Sequence, residues 1–247
     1  MTLLEALAVV LAGLGAGAIN TVVGSGSLVT FPTLLAVGLP PVVANVSNTV
    51  GLVPGSVSGA WAYRRELNDQ VPRLLRLGAA TSSGAVAGAI LLLVLPEAAF
   101  AAIVPGLILV ACVLVVVQPW LVGWLGERPH GDHGGPLLWL LIFVTGAYGG
   151  YFGAGQGVLL IAVLGLGLNE TLQRINAAKN VLAGVANLVA GIIFAVVADV
   201  DWAAAGLVAI GAAVGGVVGG GVARRLPPVV LRVVVVAIGL VAVLALR

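Results

Sequence analysis

The chain has 247 residues, of which 61% are hydrophobic and only 8% charged, with a mean hydropathy of +1.20 and a formal net charge of +2. Such a composition excludes a soluble domain and is that of an all-α polytopic membrane protein. The pI near 9.1 comes from a few arginines at segment ends rather than a basic patch, so nucleic acid is not an expected partner and the lipid bilayer is.

In chain order, hydrophobic runs cut at polar or Pro/Gly-rich joints fall at 3–23, 28–38, 43–63, 73–95, 98–121, 136–152, 157–168, 172–198, 201–223 and 227–246. The first lacks the positive start of a cleaved signal and carries Glu5 instead, so it is expected to stay in the mature protein. A crossing helix needs roughly 20 residues. The runs at 28–38 and 157–168 fall short of that, and each follows a glycine loop, Gly24-Ser25-Gly26-Ser27 or Gly153-Ala154-Gly155-Gln156-Gly157. Each is read as a half-helix. Pro32 either kinks the first or marks its first turn. Cys112, alone in an apolar run, is read as a small core residue. Gly211, Gly215 and Gly219 stand four apart, as a closely packed helix face requires. Trp61, Trp120, Trp124, Trp139 and Trp202 fall mostly near run ends, where interfacial anchors sit.

Positive charge orients the chain. Arg64, Arg65, Arg73 and Arg76 mark one joint and Arg224, Arg225 and Arg232 another, whereas the joints at Pro96-Glu97 and Asp199-Asp201 carry none. The first two are therefore expected to be cytoplasmic and the others external. Run 43–63 then points inward and run 172–198 outward. Alternation closes if 3–38 and 136–168 are each a helix plus a re-entrant half-helix, followed by three transmembrane helices. This predicts two inverted repeats, 1–121 and 136–247, joined by a cytoplasmic linker at 122–135 that contains Glu127, Arg128 and Asp132, with both termini external. Residue matches support the duplication. Gly17, Gly24, Gly26, Gly38 and Leu39 pair with Gly146, Gly153, Gly155, Gly167 and Leu168 at one offset (153 − 24 = 129), and Asn48 and Gly59 pair with Asn180 and Gly191 at a second (180 − 48 = 132).

With these elements in place, the chain resembles the TauE/SafE family of sulfite exporters. The resemblance is carried by Gly17-Ala18-Ile19-Asn20, by Gly24-Ser25-Gly26-Ser27 with Pro32 and Leu34-Leu35 behind it, and by Gly146 to Gly157, and it covers nearly the whole length. It implies a multi-pass carrier of the bacterial inner membrane for sulfite or small sulfur-containing organic anions. Ser25, Ser27, Ala154 and Gln156 depart from the glycine-richer loops of that family.

The chemistry of the loops points to an anion near the bilayer midplane. Interrupted apolar segments at matching places in two halves mark transporter sites. A helix N-terminus offers unpaired N–H groups and about half a positive charge. Two half-helices starting from opposed loops can therefore converge on one small anionic substrate. The expected donors are the amides of residues 25–28 and 154–157, supplemented by Ser25, Ser27 and Gln156 side chains, with Gly24, Gly26, Gly153, Gly155 and Gly157 allowing close backbone approach. Lys179, about a third of the way into run 172–198, is the expected charge, unless it and Arg174 snorkel to the headgroups. It shares a face with Asn176 and Asn180, while Asn45, Asn48 and Thr49 hold the equivalent helix start in the first half. Asn20 and Thr21 either line the cavity or cap broken backbone. No Asp or Glu lies deep in any run, which argues against a carboxylate proton relay or cation site.

Other readings stand beside this one. An anion channel on the same architecture would use the same amides. An intramembrane serine hydrolase would need a base for Ser25, and only Lys179 is at suitable depth, since His130 and His133 lie in the polar joint. Those two histidines, in a Gly/Pro-rich loop without a third ligand of suitable type nearby, are a weak metal signal, so no metal and no cofactor is expected. Neither the particular anion, the direction, the coupling ion nor the subunit number is fixed by the sequence, a homodimer being one assembly it permits.

Overall fold

The computed structural model describes residues 1–125, 135–221 and 228–245, and every regular element among them is an α-helix. In chain order these are α1 (Leu3–Val22), α2 (Ser27–Ala36), α3 (Pro41–Ala62), α4 (Val71–Val94), α5 (Glu97–Leu125), α6 (Pro136–Tyr151), α7 (Gln156–Gly167), α8 (Leu172–Val197), α9 (Trp202–Gly221) and α10 (Pro228–Ala245). Each expected run is helical over its described residues. Most of the linker around Glu127, Arg128, His130, Asp132 and His133 lies outside the described residues, as do Arg224 and Arg225.

Local chemistry sets the helix starts. Thr2 and Glu5 form a reciprocal capping box on α1, and the Thr171 hydroxyl accepts the Arg174 amide at the start of α8. Prolines open α3, α4 and α6, where their missing N–H costs nothing. Pro32 sits inside α2, past its first turn, where it withholds one ladder hydrogen bond.

Five helices, α1, α4, α5, α8 and α9, are long and apolar enough to cross a membrane. The 22-residue α3 has the length without the apolar character, because its buried face carries Asn45, Ser47, Asn48, Thr49 and Ser56. By contrast α2 and α7, at 10 and 12 residues, reach only about 15 and 18 Å, roughly half of the hydrocarbon thickness. Trp61, Trp120 and Trp202 are exposed near helix ends.

Helix packing follows the small residues. A Cβ on Gly211 or Gly215 of α9 would lie 2.1 Å from the Val10 carbonyl oxygen or 2.0 Å from that of Leu14, so α9 lies directly on the α1 backbone. Gly84 and Gly88 of α4 meet the Phe143 and Ala147 carbonyls of α6 in the same way, at 2.1 and 1.9 Å. Pairings recur in kind: α1 packs on α9 as α6 packs on α4, and α2 touches α10 as α7 touches α5. The half-helices thus sit inside the bundle, with Phe31 of α2 edge-on to Phe152 of the second loop at 5.2 Å between ring centres.

Candidate functional site

Both glycine loops are built the same way. The amides of Val23 and Gly24 donate to the Ile19 carbonyl at 2.7 and 3.0 Å, and those of Phe152 and Gly153, 129 residues on, donate to the Tyr148 carbonyl at 2.9 and 3.0 Å. Gly24 (φ +88°) and Gly153 (φ +76°) take the left-handed conformation that ends α1 and α6 and that a side chain would strain. Two residues later Gly26 and Gly155 cap the half-helices, here with different backbones, since Gly26 is right-handed (φ −61°) and Gly155 left-handed (φ +75°). The loops meet at one point. The Gly157 amide donates to the Gly24 carbonyl at 3.0 Å, and a Cβ on either residue would lie 2.4 Å from the other's Cα.

Beside this crossing lies a polar cavity of about 20 Å³. The first residues of both half-helices, Ser27 and Gln156, are in its wall, with Gly24, Gly153 and Gly157 of the loops. Asn20, Thr21, Lys179 and Asn180 complete that side. A single water needs about 10–15 Å³ of such space, so the cavity is close to the size of one water molecule.

Lys179 is 1% exposed and does not snorkel. Its Nζ donates to the carbonyls of Asn20 at 2.8 Å and Thr21 at 3.3 Å, at the broken end of α1. Asn176 and Asn180 donate to the same Thr21 carbonyl at 3.2 and 3.3 Å. The shared face of α8 therefore gathers on carbonyls that a helix end leaves unpaired and that carry its negative dipole. An ammonium has three N–H donors, and two are accounted for by these bonds. No carboxylate forms an ion pair with Lys179 among the described residues; their ion pairs join Glu170 to Arg73 and to Arg174 at 2.8 and 2.6 Å, at the helix ends.

Several expected site residues have other work. The Asn20 Oδ1 accepts the Gly26 amide at 2.6 Å, so this side chain both caps broken backbone and lines the cavity. Asn48 is hydrogen-bonded to Thr30 and to Ser27 and stands behind the wall rather than in it. The Thr49 hydroxyl turns back to the Asn45 carbonyl at 3.0 Å, and Gly155 packs towards Ala111. Ser25 is buried outside the wall with its hydroxyl unpartnered, so Lys179 does not serve it as a base. Of the eight loop amides, those of Gly26, Leu28, Gln156 and Gly157 are engaged within the protein, which leaves Ser25, Ser27, Ala154 and Gly155 as backbone donors. The Gln156 side chain lies over Gly149 and donates to the Thr145 carbonyl at 3.2 Å.

The wall also contains Gly55, Ser56, Ala183 and Asn187, which were not anticipated. Asn187 donates to the Ser56 hydroxyl at 3.1 Å and ties α8 to α3. Spacings of four, three and four through Asn176, Asn180, Ala183 and Asn187 extend the face already recognised on α8, and were the available signal.

An all-helical bundle with several membrane-length helices, enclosing two half-helices whose starts flank a buried lysine, defines a polytopic membrane transporter. Residues 9–246 match the family described as "Sulfite exporter TauE/SafE", and the chain belongs to that family. Among curated proteins it is similar to "Probable membrane transporter protein YfcA" of Escherichia coli (strain K12), 28% identical over 201 residues that cover 79% of this chain and 72% of that one. A "Probable membrane transporter protein" of Haemophilus influenzae is 27% identical over 77% of this chain and 74% of its own. "Probable membrane transporter protein ORF9" of Sinorhizobium sp is 28% identical over 58% of this chain, which spans about half (54%) of that relative's length. No solved structure matches the chain.

Proposed function

We propose that this protein is a secondary carrier that moves sulfite or a small sulfur-containing organic anion across the bacterial inner membrane, holding it between the two half-helix starts. One observation carries the reading. A lysine 1% exposed, with no carboxylate partner among the described residues, lies in a polar wall with Ser27 and Gln156, the positive ends of two helix dipoles. A buried cation without a counter-ion is costly, and an anionic substrate is the group that would offset it.

The size of the cavity argues for a carrier rather than a channel. A space for about one water supports an occluded state rather than a conducting pore, and on this reading the loops part at the Gly24–Gly157 contact to admit an oxyanion. Alternating access supplies that movement, one repeat rocking against the other. We take residues 1–121 and 136–247 as the inverted repeats, with residues 122–135 a cytoplasmic linker and both termini external. The matched loop hydrogen bonds and recurring helix pairings support this arrangement. In purified proteoliposomes, saturable sulfite uptake that is stimulated by sulfite preloaded inside is the expected result. Unitary currents that do not saturate with sulfite would overturn the carrier reading.

A further inference from the structure

A second and much larger cavity, about 590 Å³, opens beside the first. Its wall includes Val23 at the end of α1, Tyr63 just past α3, Gln118 of α5, Asn176 of α8 and Arg232 of α10. Cavities of about 300–1,000 Å³ hold small molecules, so this one has room for an oxyanion with its water. Arg232 is the one charged group in its described wall, and no carboxylate lines it. That arginine stands in the early part of α10, close to the helix end whose dipole disfavours a cation. Among the described residues its hydrogen bond is a long one, Nε to Oε1 of buried Gln118 at 3.5 Å, and of the five guanidinium donors only Nε is engaged by them. Arginine presents those donors in a planar fork that fits an oxyanion better than a lysine does.

The wall between the two cavities is thin. Asn176 lines the large cavity while its Nδ2 donates to the Thr21 carbonyl, which lies in the wall of the small one and is also held by Lys179. The same Nδ2 donates to the Tyr63 hydroxyl at 2.7 Å, and the Asn176 Oδ1 is buried without a partner. The Asn176–Tyr63 pair thus stands between Arg232's cavity and the carbonyl that Lys179 holds.

We propose that the larger cavity is the entry vestibule of the transport route and that Arg232 is its anion-recruiting side chain, delivering small oxyanions to the Tyr63–Asn176 partition. This rests on the transport reading above. A cation in a low-dielectric cleft raises the local concentration of an anionic ligand and its capture rate, in a salt-dependent way, by about 10- to 1,000-fold.

The test uses full-length protein in proteoliposomes of uniform orientation, with labelled sulfite offered to each face in turn, for the wild type, Arg232→Gln and Arg232→Lys. From the face that bears Arg232, Arg232→Gln should raise KM about tenfold, the low end of that range, and flatten its dependence on ionic strength. From the opposite face KM should stay within about twofold of wild type, and Arg232→Lys should recover most of the loss. Equal KM changes from both faces, or none, would overturn the vestibule while leaving transport intact. An absence of sulfite flux in the wild type would instead remove the transport reading. If Arg232→Gln does not fold, the wild type decides the matter, since a KM that rises with ionic strength from the Arg232 face alone supports the proposal and an equal salt dependence from both faces contradicts it.

Discussion

The amide of Gly157 donates to the carbonyl of Gly24 at 3.0 Å, so the loop of one half of the chain is hydrogen-bonded to the loop of the other at the point where both half-helices begin. Their Cα atoms are close enough that a Cβ on either would come within 2.4 Å of the partner. The cavity beside Lys179 is bounded by this contact, since Gly24 and Gly157 are both in its wall.

The contact tolerates no side chain. Gly157→Ala should destabilise the protein by about 1–3 kcal/mol, the usual range for overpacking. Gly24→Ala should cost more, because its φ of +88° adds backbone strain of about 1–3 kcal/mol. Thermal unfolding in detergent checks the order; wild-type midpoints for both would show that the loops do not touch.

Asn20 offers a milder lesion. Asn20→Ala leaves the Gly26 amide without its cap and should cost about 1 kcal/mol, as lost helix caps do. Asn20→Asp keeps the acceptor and should retain stability but weaken anion binding, by placing a negative charge in the cavity wall. A titration with sulfite separates these effects; equal affinity in Asn20→Asp and wild type would place the anion elsewhere.

At the helix ends, Glu170 joins the start of α4, through Arg73, to the start of α8, through Arg174. Burial alone would raise the Glu170 pKa, but hydrogen bonds and charge from the two arginines outweigh it and hold the carboxyl below its ordinary value. A depressed carboxylate stabilises the fold above its unfolded pKa, and that contribution disappears as pH falls through the lower folded value. Glu170→Gln should therefore lower stability by roughly 1–2 kcal/mol at neutral pH and make no difference in acid, as expected for charge-assisted bonds at a part-exposed site. Unfolding midpoints between neutral and strongly acidic pH test this, and a parallel offset at every pH would contradict it.

The fold was readable because its boundaries are chemical. Proline, capping residues and glycine cut the apolar runs close to where the helices start and stop, and the two glycine loops stood out inside membrane-length stretches. The candidate site was legible where backbone breaks marked it and where a lysine and asparagines shared one face of an apolar run. Gly24, Ser27, Gly153, Gln156 and Gly157 do meet at one cavity, and Lys179 is there. What sequence did not show is which polar groups are consumed by structure. Asn48 serves Thr30 and Ser27, and the Gly26 amide is taken by Asn20, because contacts between distant segments decide who partners whom. Ser56 was missed for a similar reason, since its place in the wall and its bond to Asn187 follow from how α3 packs on α8, whereas Asn187 continues the Asn176–Asn180 face and could have been read from its spacing.

The central claim, an anion held at Lys179 between the half-helix starts, is tested most directly by thermal stabilisation of purified wild-type and Lys179→Met protein with sulfite, using chloride and acetate as controls. A ligand that binds only the folded state adds about 2.7 kcal/mol at a hundredfold excess over its Kd. Sulfite should raise the wild-type midpoint well above either control and leave folded Lys179→Met unshifted. An equal sulfite shift in both proteins would contradict the account.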